Sequence, residues 1–202
     1  DYFMECFVRQ YCGIADAPDE AVEHELHLLA AALEQEPRYF MHRDFQSKNI
    51  YFKQGTVRII DFQTATRGLL QYDLASLLKD AYFILDSAER DELLDFYLDE
   101  LAENRGGTPD REHFFATFHR AGLQRNMQAL GAFAFLSMHK GKHEFINYIP
   151  AGMAFLRETL TGFPEYPALA ATVEQAARAL EKRGCTPLPE SRTPADAHHS
   201  SS

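Results

Sequence analysis

A histidine, an aspartate and an asparagine fall at the spacing H-x-D-x-x-x-x-N in the run Phe40-Met41-His42-Arg43-Asp44-Phe45-Gln46-Ser47-Lys48-Asn49. A second aspartate, Asp61, closes the apolar run Val57-Arg58-Ile59-Ile60 twelve residues after Asn49. A loop carboxylate can orient an attacking hydroxyl and take its proton, and an amide oxygen with a second carboxylate offers hard donors to Mg²⁺. That is the acceptor and metal side of a phosphoryl-transfer site, where catalysis rests on positioning and charge neutralisation. A lone loop aspartate is more often a turn former. The set of four at fixed spacing carries the reading.

The elements that must position these residues are short. Ile50-Tyr51-Phe52 and Val57-Arg58-Ile59-Ile60 are β-type runs separated by Lys53-Gln54-Gly55-Thr56, a hairpin signal. The hairpin is the spacer between Asn49 and Asp61, so it returns both side chains to one edge. Tyr39 to Met41 reads as a short strand or extended lead into the loop, after Pro37 ends a helix carrying Val22, Leu26, Leu29, Ala30 and Leu33 on one face. An earlier helix carries Phe3, Phe7, Val8 and Tyr11. Everything after Gly68 reads helical: 72–85, 89–103 with a Gly106-Gly107 stop, 112–138 with a break near Gly122, 149–160 and 167–182, with Gly162 and Gly184 as C-terminal stops. From Thr186 on, Pro187, Pro189 and Pro194 leave no period, which predicts a disordered tail over 186–202.

The 202 residues suit one domain or one large lobe, and 46% hydrophobic residues suffice for a core. Thirty acidic against twenty basic residues, a formal charge of −10, argue against a nucleic-acid partner. The longest apolar stretches, 129–138 and 149–156, are too short to span a bilayer, and no basic-then-apolar leader opens the chain, so a cytoplasmic protein is expected. Cys6, Cys12 and Cys185 read as ordinary reduced thiols.

His42, Arg43, Asp44, Asn49 and Ile60-Asp61-Phe62 resemble the kinase-like phosphotransferases, which join protein kinases, aminoglycoside phosphotransferases and choline kinases. Leu-Gln-Tyr-Asp-Leu-Ala-Ser-Leu-Leu-Lys-Asp (70–80) and Gly-Leu-Gln-Arg-Asn-Met-Gln-Ala-Leu-Gly (122–131) narrow the resemblance to the bacterial anomeric amino-sugar kinases of cell-wall recycling. It covers about 2–184. The resemblance implies an α+β, mainly α fold: the C-terminal lobe of a protein-kinase-like fold with a small catalytic β-hairpin, over 1–185. Within it, 1–15 is a linker helix between lobes, 39–67 holds the catalytic loop, hairpin and metal loop, and 68–185 is a helical subdomain. The implied activity is ATP- and Mg²⁺-dependent phosphorylation of the anomeric hydroxyl of N-acetylmuramate or N-acetylglucosamine. Such enzymes also have an N-terminal lobe with a Gly-rich loop and a strand lysine. The chain has no G-x-G-x-x-G and no lysine in a strand ahead of the loop. It is therefore expected to be a fragment, inactive alone, whose partner is the missing N-lobe of the same polypeptide.

Residue by residue, the resemblance makes Asp44 the catalytic aspartate, Asn49 and Asp61 the Mg²⁺ ligands, and Asp73 the carboxylate that holds the loop backbone. His42 packs under the loop. Arg43 is a scaffold residue, since the twelve positions between Asp61 and Asp73 leave no room for a protein-kinase activation loop. Gln46 stands where protein kinases place a phosphate-contacting lysine, with Lys48 as the nearby cation for that role, and Gln63 lines the cleft. Arg67 and Arg125 are the candidates to meet a substrate carboxylate, against the plainer reading of solvated arginines. His139-Lys140-Gly141-Lys142-His143 reads as a polar interhelix loop, His24 and His27 as a polar helix face, and Phe114, Phe115, Phe118, Phe133 and Phe135 as core. Rival readings are an aminoglycoside or other small-alcohol phosphotransferase, and a non-catalytic kinase-like scaffold.

Overall fold

The computed structural model describes residues 2–105 and 109–184, with the side chain of residue 105 left aside. A π-helix, Phe3–Tyr11, opens the fold and buries Phe3, Phe7 and Val8 almost completely. It lies on the long helix α4, Arg111–His139, and the two approach so closely that a Cβ on Gly131 would stand 2.7 Å from the Tyr2 carbonyl. Helix α1, Asp19–Glu34, turns Val22, Glu25, Leu29 and Leu33 inward. Glu25 is buried because its carboxylate receives the Ala168 and Leu169 N–H groups at 2.8 and 2.7 Å, at the start of α6, Pro167–Lys182. Those are orphan donors of a helix N-terminus, where a negative charge is favoured. Helix α5, Ile149–Leu160, packs on α4 and α6 and completes the core with Ile149, Met153 and Leu156.

Two small antiparallel sheets lie outside this helical body. Strands β2, Ile50–Lys53, and β3, Thr56–Ile59, form a hairpin with Ile50 opposite Ile59 and Lys53 opposite Thr56. Gln54 and Gly55 both take positive φ, 53° and 73°, as the twist-matching turn of a two-residue hairpin requires. Strand β1, Tyr39–Met41, pairs with β4, Thr66–Gly68. Helix α2, Leu70–Leu78, follows and packs on α4, and α3, Ser87–Arg105, comes next. The fold is thus α+β and mainly helical. No helix among the described residues is long and apolar enough to cross a membrane.

Three local expectations change. Helix α2 stops at Leu78 instead of running to 85, because the Asp80 side chain takes the Tyr82 N–H at 2.9 Å and turns the chain. Helix α4 passes Gly122 unbroken. A Cβ there would meet the Lys79 stem at 3.2 Å, so the glycine admits a neighbour instead of ending a helix. Thr66–Gly68 is a strand, and a 3₁₀ stretch, His143–Tyr148, occupies part of the expected interhelix loop. The expected Gly106-Gly107 stop, the tail over 186–202 and Cys185 lie outside the described residues, while Cys6 and Cys12 are buried.

Candidate active site

Helix α2 anchors the Asp44 loop. Asp73 on its first turns accepts the backbone N–H of His42 at 2.6 Å and of Arg43 at 3.0 Å. Burial pushes its carboxyl above the usual value, and the two donated N–H groups pull the other way. Asp80, buried just past the helix end, accepts the Ser47 N–H at 2.7 Å. Two carboxylates thereby hold three amides of one loop. His42 is buried, with Nε2 2.9 Å from the Ile60 carbonyl and its ring edge-on to Phe45. A carbonyl only accepts, so Nε2 carries the proton and the imidazole ties the loop to the end of β3. The other ring nitrogen, Nδ1, is buried without a hydrogen-bond partner among the described residues.

Asp44 itself is 42% exposed, and its two carboxylate oxygens differ. Oδ2 receives the Asn49 Nδ2–H at 3.0 Å and the Gln46 Nε2–H at 3.3 Å. For Oδ1 no hydrogen bond is found among the described residues, and Arg125 stands 4.0 Å from it. Asn49 is buried, and the same amide nitrogen also donates to the Asp44 carbonyl at 2.9 Å. A carboxylate can only accept, so Nδ2 must face Asp44 and Asn49 Oδ1 must face away, free to serve as an oxygen ligand.

The hairpin does what its sequence asks. Ile60 N–H donates to the Asn49 carbonyl at 3.0 Å, which extends the β2–β3 register by one pair and leaves Asp61 next in line. Asp61 is exposed in the left-handed region, φ 63°, and Arg43 is likewise left-handed, φ 74°. Positive φ in such residues is uncommon and costs energy, so both ends of the loop-hairpin unit are held in place by their surroundings. Among the described residues no group of three His, Cys, Asp or Glu could hold a metal. The donor set on offer, one amide oxygen and one exposed carboxylate, suits Mg²⁺, which keeps several waters and takes further oxygens from phosphates.

Arg125 is well covered, donating through Nε to Ser76 Oγ at 3.1 Å and through a terminal nitrogen to Gln46 Oε1 at 3.4 Å. With Asp44, Gln46, Arg43 and Tyr82 it lines a small cleft of about 180 Å³ whose apolar wall includes Phe133 and Phe145. Burial pushes the Tyr82 phenol up. Lys48 sits over the Tyr82 ring at 3.7 Å and the Tyr148 ring at 4.6 Å, with the Tyr148 hydroxyl 3.3 Å away. It is an aromatic-caged cation at the rim of that wall. Arg43 donates to the Thr64 carbonyl at 3.4 Å, bracing the turn after Asp61. Gln63 is exposed in that turn, Phe62–Thr64, and Arg67 is exposed on β4 opposite Phe40; no hydrogen bond to the Asp44 loop is found for either among the described residues. Sequence reasoning left Asp80, Tyr82 and Tyr148 without roles. Only Asp80 carried a signal: an acidic residue at the end of an apolar helix, seven positions after Asp73.

The model of the phosphotransferase enzyme family matches residues 6–133. The chain is similar to the N-acetylmuramate/N-acetylglucosamine kinase of Neisseria meningitidis, 32% identical over 169 residues, 81% of this chain and 50% of the relative. The proteins of the same name from Pseudomonas putida and Pseudomonas aeruginosa are 28% identical over 171 residues and 29% over 139, or 82% and 68% of this chain and 50% and 41% of those relatives. The chain spans about half the length of the curated relatives it matches.

Proposed function

Because the chain belongs to the phosphotransferase enzyme family, we propose that it forms the acceptor and metal side of a site that transfers phosphate from ATP to the anomeric hydroxyl of an amino sugar. The observation that carries this reading is the inequality of the Asp44 oxygens. Two amides occupy Oδ2, so Oδ1 is the oxygen left to take the sugar proton, and it faces the cleft wall at Arg125. Asn49 Oδ1 and Asp61 would hold Mg²⁺, which when bound neutralises the phosphates. Arg125, held by Ser76 and Gln46, would meet an anionic group on the acceptor, such as the carboxylate that distinguishes N-acetylmuramate. Phe133, Phe145 and Tyr82 give the sugar an apolar wall.

The nucleotide side of the site is proposed to come from a second lobe of the same polypeptide. The hairpin supports this physically: Phe52 and its cross-strand partner Val57 are 79% and 50% exposed, an apolar pair of the kind found at interfaces. We accordingly read 1–185 as one lobe and expect the protein in the cytoplasm, where its ATP is. The experiment is phosphorus NMR on the product of the complete reading frame incubated with ATP, Mg²⁺ and N-acetylmuramate or N-acetylglucosamine. A new anomeric 1-phosphate is expected. Phosphate on a 6-hydroxyl, or transfer confined to aminoglycosides, rejects the acceptor assignment.

A further inference from the structure

Lys79 lies at the end of α2 with 3% of its surface exposed, away from the Asp44 loop in its contacts. Its ammonium donates to Thr159 Oγ1 and approaches His119 Nδ1 at 3.4 Å. Thr159 passes its own hydroxyl hydrogen to the Phe155 carbonyl at 2.7 Å, so its one donor is used. An ammonium has no lone pair, so His119 Nδ1 is the acceptor and the imidazole proton resides on Nε2. Burial pulls His119 down to about 4, which keeps it neutral beside the ammonium.

Thr159 and His119 also line an open cleft of about 500 Å³, walled further by Arg120, Glu158, Phe163 and Glu165. The charges around it do not cancel. Both Glu158 oxygens are taken by Arg90, at 2.8 and 2.9 Å, and Glu165 takes a terminal nitrogen of Arg120 at 3.3 Å. Lys79 remains, one buried positive charge with no carboxylate in contact among the described residues. Arg120 Nε is also buried without a hydrogen-bond partner among the described residues. A buried charge or donor left unpaired is costly, and the commonest remedy is a partner of opposite sign. The surplus is one charge, and the cleft has the volume of a metabolite site, far more than a bare ion needs.

We infer that this cleft is a second small-molecule site, separate from the Asp44 cleft, and that its ligand carries a single carboxylate held through Arg120 and His119 under the charge of Lys79. A dianion such as a phosphate monoester would overshoot the surplus and meet Glu158 and Glu165.

The test uses acetate as the probe, titrated at constant ionic strength into the 202-residue chain carrying isotope-labelled histidine, with the His119 imidazole resonances as readout. A saturable shift with a millimolar dissociation constant is expected for so small a probe, absent with chloride. In Lys79→Met the affinity should fall by about tenfold or more, and the melting temperature of that variant shows whether it folds. Arg120→Gln, whose parent side chain is 27% exposed, alters only the rim and should weaken binding independently. A His119 signal that ignores acetate, or an affinity unchanged in Arg120→Gln and in folded Lys79→Met, overturns the proposal. A response to inorganic phosphate but not to acetate overturns the single-carboxylate assignment. None of these readouts involves phosphate transfer, so they stand or fall apart from the activity assigned to Asp44.

Discussion

Lys79→Met is expected to stabilise the protein at neutral pH in chloride buffer, although it removes two contacts. In the unfolded chain the amine holds its proton up to about 10.5, whereas burial in the fold pulls it down to about 8, the nearby Arg90 adding to the effect and Glu158 opposing it. At about 1.4 kcal/mol per pH unit, that gap sets the cost of keeping the ammonium charged in the fold at roughly 3 kcal/mol. Methionine fills a similar volume without charge and gives up hydrogen bonds to Thr159 and His119 worth about 1 kcal/mol each, while Thr159 keeps its bond to the Phe155 carbonyl. A net gain of roughly 1 kcal/mol follows, or about 2–4 °C in melting temperature for a domain of this size. The pH dependence separates this cause from better packing. Between about 8 and 10.5 the unfolded chain still binds the proton that the folded chain has released, so wild-type stability rises with pH in that window. The variant lacks this rise, so the gap between them should close and then reverse as the pH rises toward about 10. Urea unfolding of both proteins across that range measures it. A variant that melts lower than wild type at neutral pH, or a gap that stays constant, refutes the reasoning.

Four further outcomes are expected. In the protein from the complete reading frame, Asp44→Asn should lower kcat by several orders of magnitude with nucleotide affinity unchanged, and retention of more than about a tenth, a loss under roughly 1.4 kcal/mol, would withdraw the proton-accepting role. Mn²⁺ should broaden the amide signals around Asn49 and Asp61 in the wild-type chain and much less in Asp61→Asn; equal broadening would remove Asp61 from the ligand set. Asp73→Ala should cost about 2–4 kcal/mol in urea unfolding by leaving the His42 and Arg43 N–H groups unpaired. Glu25→Ala should cost a similar amount of roughly 2–4 kcal/mol by uncapping α6, whereas His24→Ala on the exposed face of the same helix should be nearly neutral.

The hairpin after the Asp44 loop and the last two helices were readable because each rests on a local signal. The Lys53-Gln54-Gly55-Thr56 turn predicts a hairpin, and the 149–160 and 167–182 periods match α5 and α6 to the residue. What escaped depends on contacts distant in sequence. Thr66–Gly68 is too short to show a period and becomes a strand only because β1 lies beside it. Gly122 has the signature of a helix stop, and only the Lys79 stem against it shows why the helix continues. Arg125 reads as a surface arginine until Ser76, Gln46 and Asp44 are seen around it.

The Asp44 geometry is determined less by the loop than by the helix beneath it. Asp73 lies in the first turn of α2 and Asp80 two residues past its last residue, and both carboxylates reach the same loop. From there they fix the amides of His42, Arg43 and Ser47, on both sides of Asp44 in sequence. With those three amides held, Arg43 can sustain its left-handed backbone, and Asp44 projects where Asn49 and Gln46 take one of its oxygens and leave the other open. On the proposed reading of Asp44 as proton acceptor, a loop organised this way orients that group before a substrate arrives, which is the condition under which positioning contributes most to rate.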